Sequence, residues 1–191
     1  MVAALEPTST IIPADLMRDL PLSDDGARLL PAARNPRELI DRLLAAGLAA
    51  DAMRVLLRAL PKRYAIAFLC DCIRKDAGAT PLPPIDQACL ESAEAWLVDD
   101  SDAKRRIAGD RAEAAERGSP SAWAASAAAW SGGSIAPRGY ADVPPPAHLS
   151  AVACFAAMMT LAARDPPRLK ARLAEWVERA CASFGVRKST G

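Results

Sequence analysis

The sequence predicts an all-α protein, and three observations carry that expectation. Ala is the commonest residue, with Leu and Arg frequent, and these side chains lose little freedom in a helix. Val and Ile are scarce, and no long stretch alternates apolar and polar residues with period two. Pro and Gly fall mainly between the stretches of three-to-four spacing, where they start and stop helices. Short connections make consecutive helices pack antiparallel, so the expected architecture is a compact bundle of about seven to eight helices.

The elements follow in order. Residues 1–34 form an N-terminal arm of short helices or extended chain, with Pro13-Ala14-Asp15-Leu16-Met17 opening a turn and Leu20, Leu22, Leu29 and Leu30 available to pack. Asn35-Pro36 starts the first firm helix: Asn caps, and Pro at the next position lacks an N–H where no partner is needed. Leu39 and Leu43, with Ile40 or Leu44, make its apolar stripe, and Gly47 stops it. A second helix spans about 48–60 with Met53, Leu56, Leu57 and Leu60 on one face. Pro61 divides it from a third, which carries Tyr64, Phe68, Ile73, Cys70 and Cys72 and ends before Gly78. After an extended linker, 79–84, Ile85–Val98 reads as a helix with Cys89, Leu90, Ala93 and Leu97 aligned. Ser101 caps a charged, Ala-rich helix running to about Glu116 and closed by Gly118. Ser119-Pro120 repeats the cap-plus-Pro start for a short helix to Trp130. A long loop, 131–147, then precedes a helix over His148–Arg164, and Asp165-Pro166-Pro167 opens the last helix, to Phe184. The helical domain is thus 35–186, with a polar tail over 187–191.

Composition excludes several classes of function. The 191 residues and 20.2 kDa fit one domain, large enough for a core without disulfides or metal. The 24 basic and 23 acidic residues leave a net charge of +1, which argues against a nucleic-acid binder or a polybasic membrane anchor. The apolar stretch over 149–163 is shorter than the ~20 residues of a membrane span and reads as a buried helix. Residues 1–13 show no secretory signal, so the expected location is the cytoplasm. The five cysteines form no C-x-x-C pair and lie in apolar stretches, as reduced core thiols would. No cofactor and no metal site is expected.

Five features invite a chemical reading. The single His, His148, follows three prolines, but no nucleophile or paired carboxylate stands near it in sequence; it is expected to support the loop or the helix start. Ser131-Gly132-Gly133-Ser134 lacks the Lys and the preceding strand of a phosphate loop, so Gly132 or Gly133 is expected to supply the left-handed residue that ends a helix. Asp99, Asp100 and Asp102 lack the alternation of a calcium loop and are expected to cap the following helix. Lys62-Arg63 and Lys104-Arg105-Arg106 sit near helix starts, where the helix dipole disfavours positive charge. They read as a solvated face, or else as a surface for a partner. Trp123 and Trp130, seven apart, share a helix face; Trp130 becomes a binding hot spot if it is exposed beside the loop.

At Ala59-Leu60-Pro61-Lys62-Arg63, Ala95-Trp96, Ala129-Trp130-Ser131-Gly132-Gly133-Ser134 and Pro144-Pro145-Pro146-Ala147-His148-Leu149, the chain resembles a family of small helical bacterial proteins, a domain of unknown function. The resemblance spans about residues 35–165. It departs from the family pattern at Ala147, where another Pro is expected, and at Tyr64-Ala65-Ile66, where an acidic residue and more aromatics are expected. The resemblance implies no catalytic residue; it implies an accessory role beside contractile, type VI-like secretion genes.

The expected function is therefore a non-enzymatic interaction factor: an adaptor, chaperone or accessory protein. Its partner would be a protein, namely a secretion component, an effector or a toxin. The expected contact residues are Trp130, Gly132, Gly133, Tyr140 and His148. The alternative is an immunity protein that neutralises a cognate toxin. The oligomeric state is left open.

Overall fold

A computed structural model of the chain describes residues 20–78 and 80–184. The expectations for the first residues, for Ala79 in the extended linker and for the polar tail lie outside the described residues. The described chain is all-helical, with nine α-helices and no strand. They are α1 Asp24–Leu29, α2 Pro36–Ala45, α3 Ala49–Ala59, α4 Lys62–Ala77, α5 Pro84–Val98, α6 Asp102–Ala114, α7 Pro120–Ala129, α8 Leu149–Ala162 and α9 Leu169–Ser183. Single 3₁₀ turns follow α1 and precede α9, at Leu30–Ala32 and Pro166–Arg168. Eight of these helices overlap the expected ones, and α1 is the ninth, inside the expected arm; Asp165-Pro166-Pro167 opens a 3₁₀ turn without a cap bond from Asp165, and α9 begins only at Leu169. The chain divides into two compact units: residues up to Leu60 together with those from Ala162, and Pro61–Leu161.

The first unit is built from large aliphatic side chains. Asn35 caps α2, its Oδ1 accepting from the Glu38 N–H at 2.9 Å. Glu38 is held down to about 2 by hydrogen bonds, first from Arg42, then from the Arg34 backbone and side chain. At the other end, Gly47 takes φ 73°, the Leu48 N–H donates to the Leu43 carbonyl and the Gly47 N–H to the Leu44 carbonyl. That pairing satisfies two carbonyls the helix leaves open and turns the chain into α3. Leu39, Ile40 and Leu43 of α2 are buried, as are Met53, Val55, Leu56 and Leu57 of α3 and Leu173 and Val177 of α9. α3 packs on both α2 and α9. The buried carboxylate of Asp51 ties α1 down: it accepts from the Ser23 N–H and hydroxyl, and from Arg54 Nη1 at 2.8 Å. Ser23 in turn caps α1 through the Gly26 N–H.

The second unit is built around α7, a helix of small residues. Every residue of α7 except Trp123 is buried. α7 packs on α4, α5 and α6, and its Ala side chains let those helices come close. A helix apolar all round is the expected solution for an element enclosed by neighbours. Two buried hydroxyls are satisfied on carbonyls of α7: Ser126 donates to the Ala122 carbonyl and Ser150 of α8 to the Ala127 carbonyl, at 3.0 and 2.8 Å. Ser119 caps α7 through the Ala122 N–H and donates its own proton to Asp86 of α5. Arg74 grips Glu94 with two nitrogens at 2.9 and 2.7 Å, joining α4 to α5. All five cysteines are buried free thiols, as expected. Burial pushes the Cys70 and Cys154 thiols up, the latter to about 12, which suppresses thiolate chemistry.

Candidate functional site

The site grows out of the way the chain leaves α7. Trp130 ends the helix, and Gly133 takes φ 62° three residues later. Of the two expected glycines, Gly133 is the left-handed one, but it does not end the helix: α7 closes at Trp130, whose N–H donates to the Ser126 and Ala128 carbonyls. Gly133 also has no room for a side chain, because a Cβ there would meet Arg105 Nε at 2.7 Å and Asp102 Oδ1 at 2.9 Å. The reason for the crowding is that Arg105 passes beneath the loop. Its side chain is buried, paired with Asp102 through Nε at 2.9 Å, and donates to the carbonyls of Ala129 and Ser134 at 2.7 and 2.9 Å.

Neighbouring cations act in the same way. Arg106 pairs with Asp102 at 2.8 Å and donates to the Ala136 carbonyl at 3.1 Å, while Lys62 donates to the Ser131 carbonyl at 2.8 Å. Arg63 reaches the Leu97 carbonyl at the end of α5. The two basic clusters are thus neither a simple solvated face nor a bare partner surface. Four of their five side chains, Lys62, Arg63, Arg105 and Arg106, reach carbonyls of helix ends and loop. The Arg106 and Arg105 guanidinium groups hold the Asp102 carboxyl below the usual carboxylate range. Ser101 caps α6 as expected, and among the described residues no cluster of three or more His, Cys, Asp or Glu could hold a metal ion.

Ser134 completes the loop from inside. Its buried Oγ accepts from the Ala136 and Val143 N–H groups at 3.1 and 3.0 Å, and the Ile135 N–H donates to the Val143 carbonyl at 2.8 Å. The Tyr140 N–H donates to the Pro137 carbonyl, closing a turn over Arg138 and Gly139. With its backbone fixed, the loop presents apolar side chains outward: Tyr140 is 75% exposed, Val143 49% and Ile135 45%. His148 stands at the far end, its carbonyl accepting from the Val152 N–H in the first turn of α8.

Between α6, the end of α7 and loop residues 134–138 lies a cleft of about 400 Å³, at the small end of the range for ligand pockets. Its lining includes Trp130 together with Arg106, Arg117, Arg138, Asp110 and Glu113. Of the five expected contact residues, only Trp130 lines this cleft; Gly132, Gly133, Tyr140 and His148 belong to the loop that forms or flanks its outer wall. Trp130 is half-buried and meets Trp123 edge-on, with ring centroids 6.4 Å apart and planes at 64°. The Arg117 guanidinium lies over the Trp130 ring at 5.7 Å.

Arg117 reaches that position through an unusual helix ending. α6 stops at Ala114, before the expected Glu116, and Glu116 and Arg117 adopt φ 51° and 50°. For residues with a Cβ this costs about 1–2 kcal/mol each. The left-handed turn falls on these two residues instead of on the adjacent Gly118. The cleft cations Arg117 and Arg138, and the acids Asp110 and Glu113, carried no sequence signal of a site. They come together through the turn after α6 and the fold of the loop.

The chain matches the model of a family of unknown function, DUF6931, over residues 39–184. The chain belongs to the DUF6931 family. No curated protein matches it, and no solved structure matches it. The match covers all of α3 to α9 and α2 from Leu39 on, so loop, cleft and staples all lie within the DUF6931 region. Among the described residues, no helix is long and apolar enough to cross a membrane.

Proposed function

We propose that this DUF6931 protein is a non-enzymatic interaction factor whose contact surface is the loop 131–148 with Trp130 beside it. One observation supports the reading most: a loop whose backbone is tied down by buried Arg105 and Ser134 while Ile135, Tyr140 and Val143 stand exposed on it. Ordering such a segment beforehand removes an entropy cost from binding, and large apolar side chains on a fixed backbone are typical binding anchors. The partner is a protein. The resemblance in sequence to accessory proteins of type VI-like secretion favours a component or effector of such an apparatus, met in the cytoplasm.

The test is affinity purification of the tagged full-length protein from its native host, with mass spectrometry of what co-purifies. The expected result is a stoichiometric partner that is lost in Tyr140→Ala, with the helical circular-dichroism signal unchanged. A partner retained in full by Tyr140→Ala and by a folded Trp130→Ala overturns the surface assignment. A toxin whose activity falls on binding reassigns the protein as an immunity factor, and the absence of any partner overturns the interaction role.

A further inference from the structure

We propose that the cleft beside Trp130 receives an acidic side chain of the partner polypeptide, flanked by a basic one. This rests on the interaction role above and adds the chemistry by which the partner is recognised. The argument turns on which charges in the cleft are already used. Arg105 and Arg106 are committed to Asp102 and to the loop carbonyls. They fix the walls and have little left to offer a ligand. Arg117 and Arg138 differ. The Arg138 side chain stands exposed on the turn of the loop with no ion pair or hydrogen bond among the described residues. The Arg117 Nε is buried without an acceptor, and its guanidinium rests on the Trp130 ring instead of on a carboxylate.

The backbone points to the same place. Glu116 and Arg117 hold left-handed conformations although Gly118 is next in the chain. Strain of that kind persists where the surrounding structure over-determines it, and it concentrates at ligand-binding positions. Here it sets a cation at one end of the cleft, while the loop turn sets Arg138 in the outer wall. Two guanidinium forks and an indole face are a receptor for a planar anion.

The acids decide between anions. Asp110 and Glu113 project from α6 into the same cleft, and among the described residues their side chains have no partner. A phosphodiester chain would bring repeated negative charge against them, and a net charge of +1 supplies no steering field for one. A single carboxylate beside an ammonium or guanidinium satisfies both halves of the cleft: the acid meets Arg138 and Arg117, the base meets Asp110 and Glu113. A peptide with adjacent acidic and basic residues is therefore the favoured occupant.

The experiment titrates the ¹⁵N-labelled full-length protein with three acetylated, amidated Ala/Gly peptides, carrying a central Glu-Lys, Gln-Lys or Glu-Ala pair. The expected result is a saturable shift of the Trp130 indole N–H and of the Ile135 and Arg138 amides with Glu-Lys. The Glu-Ala peptide binds more weakly and the Gln-Lys peptide weakest, by tenfold or more. Arg138→Glu, at a residue with no partner to lose, weakens the Glu-Lys peptide at least tenfold. Equal responses to Glu-Lys and Gln-Lys, or indifference to Arg138→Glu, overturn the proposal. So does the same pattern of shifts from inorganic phosphate or a thymidine oligonucleotide at lower concentration than the peptide. Co-purification with Arg138→Glu separates the two readings. A partner lost in Tyr140→Ala but fully kept in Arg138→Glu leaves the interaction role standing and removes the acidic anchor. Peptide binding with no captured partner keeps the cleft chemistry and removes the interaction role.

Discussion

The two units of the chain centre their packing on different kinds of helix, one of large aliphatic side chains and one of alanine, although the second unit also buries Ile66, Leu69, Leu90, Met158 and Leu161. The first is filled by Leu39, Ile40, Leu43, Met53, Leu56 and Leu173, all fully buried. The second is organised by α7, where Ala122, Ala124, Ala125, Ala127 and Ala128 are fully buried. Each unit also pins a piece of less regular chain with one buried charge, and the two charges have opposite sign. Asp51 accepts from the Ser23 N–H at the start of α1, and Arg105 donates to the Ala129 carbonyl at the end of α7. The sign follows from which helix end is held. The start of a helix leaves N–H groups open and takes an anion, and its end leaves carbonyls open and takes a cation. The difference teaches where each unit is fragile: one through loss of volume, the other through gain of it and through loss of the guanidinium.

The largest expected effect sharpens that contrast. Leu56→Ala in the first unit opens a cavity and costs about 3–4 kcal/mol. In the second unit the damaging change runs the other way, and Ala127→Leu forces helices apart at a cost of about 1–3 kcal/mol. Urea unfolding of both variants checks the pair. If Ala127→Leu is neutral, the close-packed description of α7 is wrong.

Next in size is the loop staple. Arg105→Met keeps much of the side-chain volume but leaves the Ala129 and Ser134 carbonyls without their donor. Each such buried group costs on the order of 1 kcal/mol or more, so the expected loss is about 2–3 kcal/mol. Hydrogen exchange locates it: the Ile135, Ala136 and Val143 amides lose protection while α2 and α3 keep theirs. The same segment responds to acid. Asp102 is held below its usual range by Arg106 and Arg105. Its support is therefore complete above about pH 4 and is lost as the pH falls further through the depressed value. Faster loop exchange with both cores intact is the expected first sign of acidification.

Much of the helical plan was legible because its signals are local. Asn35-Pro36, Ser101 and Ser119-Pro120 are caps whose partners lie three residues away, and Gly47 ends α2 through residues within its own turn. α1 was less legible because its anchor, Asp51, lies 28 residues from Ser23. The site was harder still. Lys62 meets Ser131 across 69 residues and Arg105 meets Ser134 across 29, separations that no periodicity encodes. The available hint was an inconsistency, positive charge placed near helix starts against the dipole. Its resolution is that four of the five side chains serve carbonyls elsewhere in the unit. Trp130 was legible as an aromatic beside the loop, whereas Arg117 and Arg138 depend on a left-handed turn and a loop conformation.

The smallest expected effect is a gain. Glu116 holds φ 51° at a cost of about 1–2 kcal/mol for a residue with a Cβ. Gly adopts that conformation freely but adds roughly 0.4–1 kcal/mol of unfolded-state entropy to be lost on folding. Glu116→Gly therefore stabilises the protein by about 0.5–1 kcal/mol, a rise in Tm of roughly 2 °C for a chain of this size. The same substitution leaves Arg117 and its cation over Trp130 in place, so thermal melting isolates the strain. A loss of stability would mean that Glu116 makes a compensating interaction, and the description of this turn as strain held beside the cleft would fall.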